Sequence, residues 1–144
     1  MERINISKVN PEGYKSFFPL ERYISISGLN HNHLHLLKIR ASQVNGCAFC
    51  INMHIKEARA EGETDTRIFL LQEWREVDLF NEEEKALLAL TEEITLINER
   101  VSDGTYENAL RLFGEEYLSK LIIAIVVINA WNRIGIATLL KPVY

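Results

Sequence analysis

The chain has 144 residues, 47% hydrophobic and 25% charged, enough for one domain with a substantial core of ordinary globular composition. A net charge of −4 with no block of basic residues excludes nucleic acid as an expected partner. The longest apolar run, Leu121 to Ile128, falls far short of the roughly 20 residues a membrane span needs, so no membrane association is expected.

In chain order, Met1-Glu2-Arg3-Ile4-Asn5 leads into no apolar segment. No secretory signal is expected, and the default compartment is the reducing cytoplasm. Asn10-Pro11 has the order of an N-cap and first helical residue, predicting a helix to about Ser27-Gly28 that Pro19 kinks or splits. Leu34, Leu37 and Ala41 form a helical stripe closed by Asn45-Gly46, a strong helix-stop signal. A new helix is predicted from about Cys47 to Ala60, stopped by Gly62, and a short one from Thr66 to Glu73. Asn81-Glu82-Glu83-Glu84 resembles a capping box and opens an amphipathic helix marked by Leu87, Leu90, Ile94 and Ile97. Ser102-Asp103 caps a further helix up to Phe113-Gly114. The β-branched run from Ile122 to Ile128 suits a buried strand, but no second strong run exists to pair with it. It is therefore read as part of a buried helix from about Glu115 to Leu139. The expected fold is an all-α, single-domain bundle of six or seven helices spanning residues 1–144. A thioredoxin-like βα setting is thereby excluded.

The chemistry concentrates at Cys47-Ala48-Phe49-Cys50-Ile51-Asn52-Met53-His54, which holds the chain's two cysteines. A helix turns about 100° per residue, so positions 47, 50 and 54 share one face. At a helix start, unpaired N–H groups favour an anion, and hence the thiolate that attacks peroxides and disulfides. Two thiols at this spacing can also close a disulfide. Dithiol redox chemistry is expected. Two alternatives stand beside it. The cysteines can be small core residues, or they can hold zinc with His54 and a fourth ligand from His31, His33 or His35. Against zinc, no second Cys-x-x-Cys exists, and no metal site is expected.

All four histidines lie within 24 residues, and His31 and His35 share a helical face. Asn129, Trp131, Asn132 and Arg133 bring polar groups after the apolar run, as in a helix leaving the core or meeting another subunit. Trp74-Arg75-Glu76 reads as packing plus a surface ion pair.

The stretch Arg40-Ala41-Ser42-Gln43-Val44-Asn45-Gly46-Cys47 through His54, then Glu57-Ala58-Arg59, resembles the alkylhydroperoxidase D-like branch of the carboxymuconolactone decarboxylase family. Tyr23 to Leu29, Trp74-Arg75-Glu76 and Ile128 to Arg133 extend the similarity over most of the chain. The resemblance implies an all-α homo-oligomer with thiol-dependent peroxidase activity and no metal or organic cofactor. By position it makes Cys50 the peroxidatic thiol, Cys47 its resolving partner and His54 part of a proton relay. The family relay also uses a glutamate twelve residues before the first cysteine, where this chain has His35. An imidazole also accepts a proton near neutral pH, and His35 is accordingly expected near Cys47 and His54.

Two functions are implied. One is hydroperoxide reduction through a Cys47–Cys50 dithiol/disulfide cycle, recharged by a dithiol donor. The other is a thiol-disulfide relay, or redox-responsive binding protein, that reduces a partner peroxiredoxin. Decarboxylation is disfavoured, because the lactone decarboxylases of the wider family lack the paired thiols.

Overall fold

Three helices supply most of the core: α4 (His31–Asn45), α7 (Glu82–Thr95) and α8 (Asp103–Ala137). The computed structural model describes all 144 residues, and it contains helices and no strands. Around these three lie α1 (Ile6–Val9), α2 (Pro11–Lys15), α3 (Phe18–Ile26), α5 (Ala48–Ala60) and α6 (Asp65–Phe69). Short 3₁₀ turns follow α6 and α7 at Leu71–Glu73 and Ile97–Glu99.

The all-α expectation holds, and its helix starts fall where the caps stand. Asn10 accepts from the N–H of Gly13 and starts α2; Pro19 lies in the first turn of α3 and separates the two. Asn81 and Glu84 form the complete capping box of α7. Ser102 accepts from the N–H of Thr105 at the start of α8. α1 was not expected from sequence; it is a single turn with no buried residue.

α8 is two helices in series, joined at Gly114, whose φ of 73° and ψ of 165° are not helical. Glycine reaches this conformation without the Cβ clash that other residues meet. Beyond it the Ile122–Ile128 run is helical, and Leu118, Leu121, Ile125 and Ile128 are buried. They meet Leu87, Leu88 and Leu90 of α7 and Leu36, Leu37 and Ile39 of α4 in one core. Burying each such side chain contributes about 1.5–3 kcal/mol. By length and apolar content α8 would suffice to cross a membrane. Its central position against α4 and α7 makes it the core helix of this fold.

The polar residues after the run differ from the expectation of a helix leaving the core. Asn129 and Asn132 are buried. Asn45 Nδ2 donates to Asn129 Oδ1 and Asn132 Oδ1, each at 2.9 Å. Asn132 Nδ2 donates to Ser42 Oγ, and Asn129 Nδ2 to Thr95 Oγ1. Buried amides need such partners, because an unpaired one costs about 1–3 kcal/mol. The network ties the end of α4 to α7 and α8, and so fixes the turn that delivers the cysteines. Trp74 is packing, as read, but the partner of Arg75 is Glu92 of α7 at 2.8 Å.

Candidate active site

The two cysteines are placed by the way α4 stops. Gly46 is left-handed, with φ of 73° and ψ of 33°. Its N–H donates to Gln43 O and the Cys47 N–H donates to Ser42 O, which satisfies the last carbonyls of α4. Cys47 is thereby the N-cap of α5, and Cys50 sits in its first turn. Both are 2% exposed, and the structure joins them as a disulfide with Cα atoms 5.3 Å apart. α8 presses on this bond through Gly135. A Cβ at that position would lie 3.0 Å from Cys47 Sγ and 3.5 Å from Cys50 Sγ, so any larger residue would crowd Cys47 Sγ.

His54, one turn beyond Cys50, is buried, and its Nδ1 donates to Glu57 Oε2 at 2.9 Å. That hydrogen bond holds the Glu57 carboxyl below the ordinary carboxylate range. With Nδ1–H committed to a carboxylate, the lone pair of the neutral ring is on Nε2, free to accept a proton. Cys50 and His54 line one cavity of about 300 Å³, walled by Tyr14, Phe18, Phe49, Met53 and Trp131. Trp131 packs edge-on to Tyr14 at 5.4 Å and donates Nε1–H to Glu21 at 2.9 Å, which fixes its ring. Glu21, Glu57 and Lys38 form the polar side of the cavity.

The structure thus brings together Cys47, Cys50 and His54 as the sequence predicts. His35 stands apart from them. It is buried, and its Nε2 donates to Glu61 Oε2 at 2.9 Å. His31 Nδ1 donates to the same oxygen at 2.9 Å. These bonds, from His35 first and His31 second, hold the Glu61 carboxyl below its ordinary range. His35 lines a neighbouring cavity that shares Glu21, Lys38 and Glu57 with the first but not Cys50 or His54. No group of three or more His, Cys, Asp or Glu side chains is arranged to hold a metal.

Sequence reasoning missed Glu57 as the partner of His54. Its spacing of three along one helix was the available signal. Nothing in the local sequence marked Gly135 as a neighbour of the sulfurs or Trp131 as a wall of the Cys50 cavity.

Comparison with known proteins agrees with this fold. Residues 11–93 match the carboxymuconolactone decarboxylase family. YdfG, an uncharacterized protein of Bacillus subtilis (strain 168), is 45% identical over 137 residues, covering 94% of this chain and 93% of its own. A crystal structure from Agrobacterium tumefaciens superposes with a TM-score of 0.96 at 40% identity, covering 100% of this chain and 99% of that one. That protein is of unknown function, with a suggested role in antioxidant defence as AhpD. The debrominase Bmp8, in a complex with 2,3,4-tribromopyrrole, shares the fold with a TM-score of 0.82 at 18% identity. The alignment covers 90% of this chain and 70% of that one.

Proposed function

The chain belongs to the carboxymuconolactone decarboxylase family, and from that premise we propose that it is a thiol-dependent peroxidase of the alkylhydroperoxidase D-like branch. The observation that carries this reading is the Cys47–Cys50 pair at the start of α5, with the His54–Glu57 couple on the same helix. In the reduced protein, the free N–H groups of the first turn stabilise a thiolate at Cys50. His54 Nε2 takes the thiol proton, while Glu57 holds the ring and the positive charge it gains. The thiolate attacks the terminal peroxide oxygen, the O–O bond breaks, and an alcohol or water leaves with a proton. Cys50 is then a sulfenic acid. The Cys47 thiol condenses with it, water leaves, and the disulfide forms. A dithiol donor restores the pair by exchange. This chemistry suits a reducing compartment such as the cytoplasm.

His35 belongs to this reading as an outer positioning residue. It bonds Glu61, the C-cap of α5, and its charge also bears on Glu57, the carboxylate that holds His54. The relay reading, in which the pair reduces a partner peroxiredoxin, uses the same disulfide. The peroxidase reading is favoured because His54 already has a carboxylate partner in the cavity of Cys50, so a base is present where peroxide must be attacked.

Replacing each cysteine tests the assignment. Cys50→Ser abolishes consumption of an organic hydroperoxide, whereas Cys47→Ser supports one round and stops as a sulfenic acid that a dimedone trap reports. A Cys50→Ser protein that still traps as a sulfenic acid reverses the roles.

A further inference from the structure

The Cys47–Cys50 bond has two ends, and they face different spaces. Cys50 lines the aromatic cavity with His54. Cys47 lines a second cavity of about 340 Å³, walled by Gly135 and Ile136 of α8 and by Leu139, Leu140 and Pro142. Leu140 is the wall common to both cavities, so the segment that begins at Leu139 borders the space at each end of the bond.

A backbone turn aims this segment. Leu139 has a φ of 54°, and the Leu140 N–H donates to Gly135 O at 2.9 Å. The far end is gripped by α5 itself: Asn52 Nδ2 and Lys56 Nζ donate to Val143 O at 3.0 and 2.7 Å. Little apolar burial adds to these bonds, since Leu139, Leu140 and Val143 are 54%, 41% and 70% exposed. A segment with few buried contacts and solvent-exposed hydrogen bonds opens locally at low cost. The bond beneath it is nonetheless closed to solvent, with both cysteines 2% exposed.

Thiol–disulfide exchange needs a thiolate in line with the S–S bond, and its rate depends on access to the sulfur attacked. A nucleophile aimed at Cys47 must come from the side away from Cys50. One cavity meets Cys47 and not Cys50, and residues 139–142 wall it. We propose that segment 139–144 is a strap over a reductant site at Cys47, and that its release admits the dithiol that recharges the protein. The proposal rests on the thiol cycle above. It gives the disulfide separate faces, with peroxide meeting Cys50 and reductant meeting Cys47.

The ligand is a dithiol, free or on an arm narrow enough to enter this cavity. Its thiolate bonds to Cys47 Sγ; the Cys47–Cys50 bond breaks, and its electron pair leaves on Cys50 Sγ, which takes up a proton. The second thiol of the reductant attacks the sulfur already joined to Cys47. Cys47 leaves as a thiolate and takes up the other proton. Two electrons and two protons have passed to the protein, and the dithiol has become a disulfide.

The test follows reduction of the oxidised full chain by excess dithiothreitol, quenched with iodoacetamide and read by mass. Asn52→Ala with Lys56→Met removes both grips on Val143, and a chain ending at Thr138 removes the strap. Both are expected to be reduced several-fold faster than the unmodified protein. With the monothiol 2-mercaptoethanol, the adduct is expected on Cys47, with Cys50 alkylated. An unchanged or slower rate in the double variant overturns the proposal, as does an adduct on Cys50. If the truncated chain loses its helical circular dichroism, the double variant alone decides. A disulfide that never forms in the unmodified protein sinks the thiol cycle and this proposal together, and it is recognised before any reductant is added.

Discussion

Each imidazole of this site is defined by the carboxylate it serves. His54 gives its Nδ1–H to Glu57 and lines the cavity of Cys50. His35 gives its Nε2–H to Glu61, in the neighbouring cavity. The two histidines should therefore be unequal in catalysis. His54→Gln retains a donor toward Glu57 but loses the base, and a lost general base costs about 10²–10⁴-fold. Initial rates of organic hydroperoxide consumption should fall within that range. His35→Gln should lower the rate by no more than about tenfold, less than a general base contributes. Equal losses in the two variants would mean that His35 reaches the reacting atoms directly.

Among the elements, the contact of α4 with α8 carries a third buried histidine, and it sets how the fold responds to acid. His33 packs edge-on to Phe113 at 5.7 Å and Tyr117 at 5.9 Å. The Tyr117 phenol oxygen accepts the Asn30 N–H and is hydrogen-bonded to His33 Nδ1, 2.8 Å away. Burial holds this imidazole below its ordinary pKa, against the opposing pull of Glu83 and then Glu84. In the unfolded chain the same ring takes up a proton near the reference pKa of about 6.5. The unfolded state therefore binds more protons below that pH, and stability falls as the pH falls through it. Above it the contribution of neutral His33 is fully present. Urea midpoints should drop from about pH 7.5 to about pH 5, and His33→Phe should flatten that drop. An equally steep drop in the Phe variant would assign the acid response elsewhere.

The same elements show what the sequence could reveal. Helix starts were legible because their signals are local: Asn10-Pro11, the Asn81…Glu84 box and Ser102 each satisfy N–H groups three residues away. The Cys47, Cys50 and His54 stripe was legible for the same reason, since one helix presents all three. Contacts across the fold carry no periodic signal. Lys56 and Val143 are 87 residues apart, and Asn45 and Asn132 equally so. The strap and the amide network were therefore invisible before folding. His35 combines the two cases. Its spacing from Cys47 is local and legible, but its bond to Glu61, 26 residues away, is not.

For the whole molecule, the long apolar helix serves two surfaces. One side of α8 fills the core, while Ile123 and Val126, three residues apart, remain 37% and 54% exposed. Residues at that spacing share a helix face. Whether this face meets a second copy is open to a direct test. Val126→Glu would place a charge in that contact, and light scattering should show a smaller species than the unmodified protein. A monomeric unmodified protein would leave the face without that role. The central claim is broader than any one contact: a reduced Cys47–Cys50 pair converts a hydroperoxide by closing its own disulfide. The most direct measurement mixes reduced protein with substoichiometric organic hydroperoxide in a stopped-flow instrument and recovers the product for mass analysis. Peroxide should disappear in step with an intramolecular disulfide, seen as the loss of two hydrogens on the peptide holding Cys47 and Cys50. Peroxide that persists beside reduced thiols, or thiols that end only as sulfonic acids, would contradict that claim.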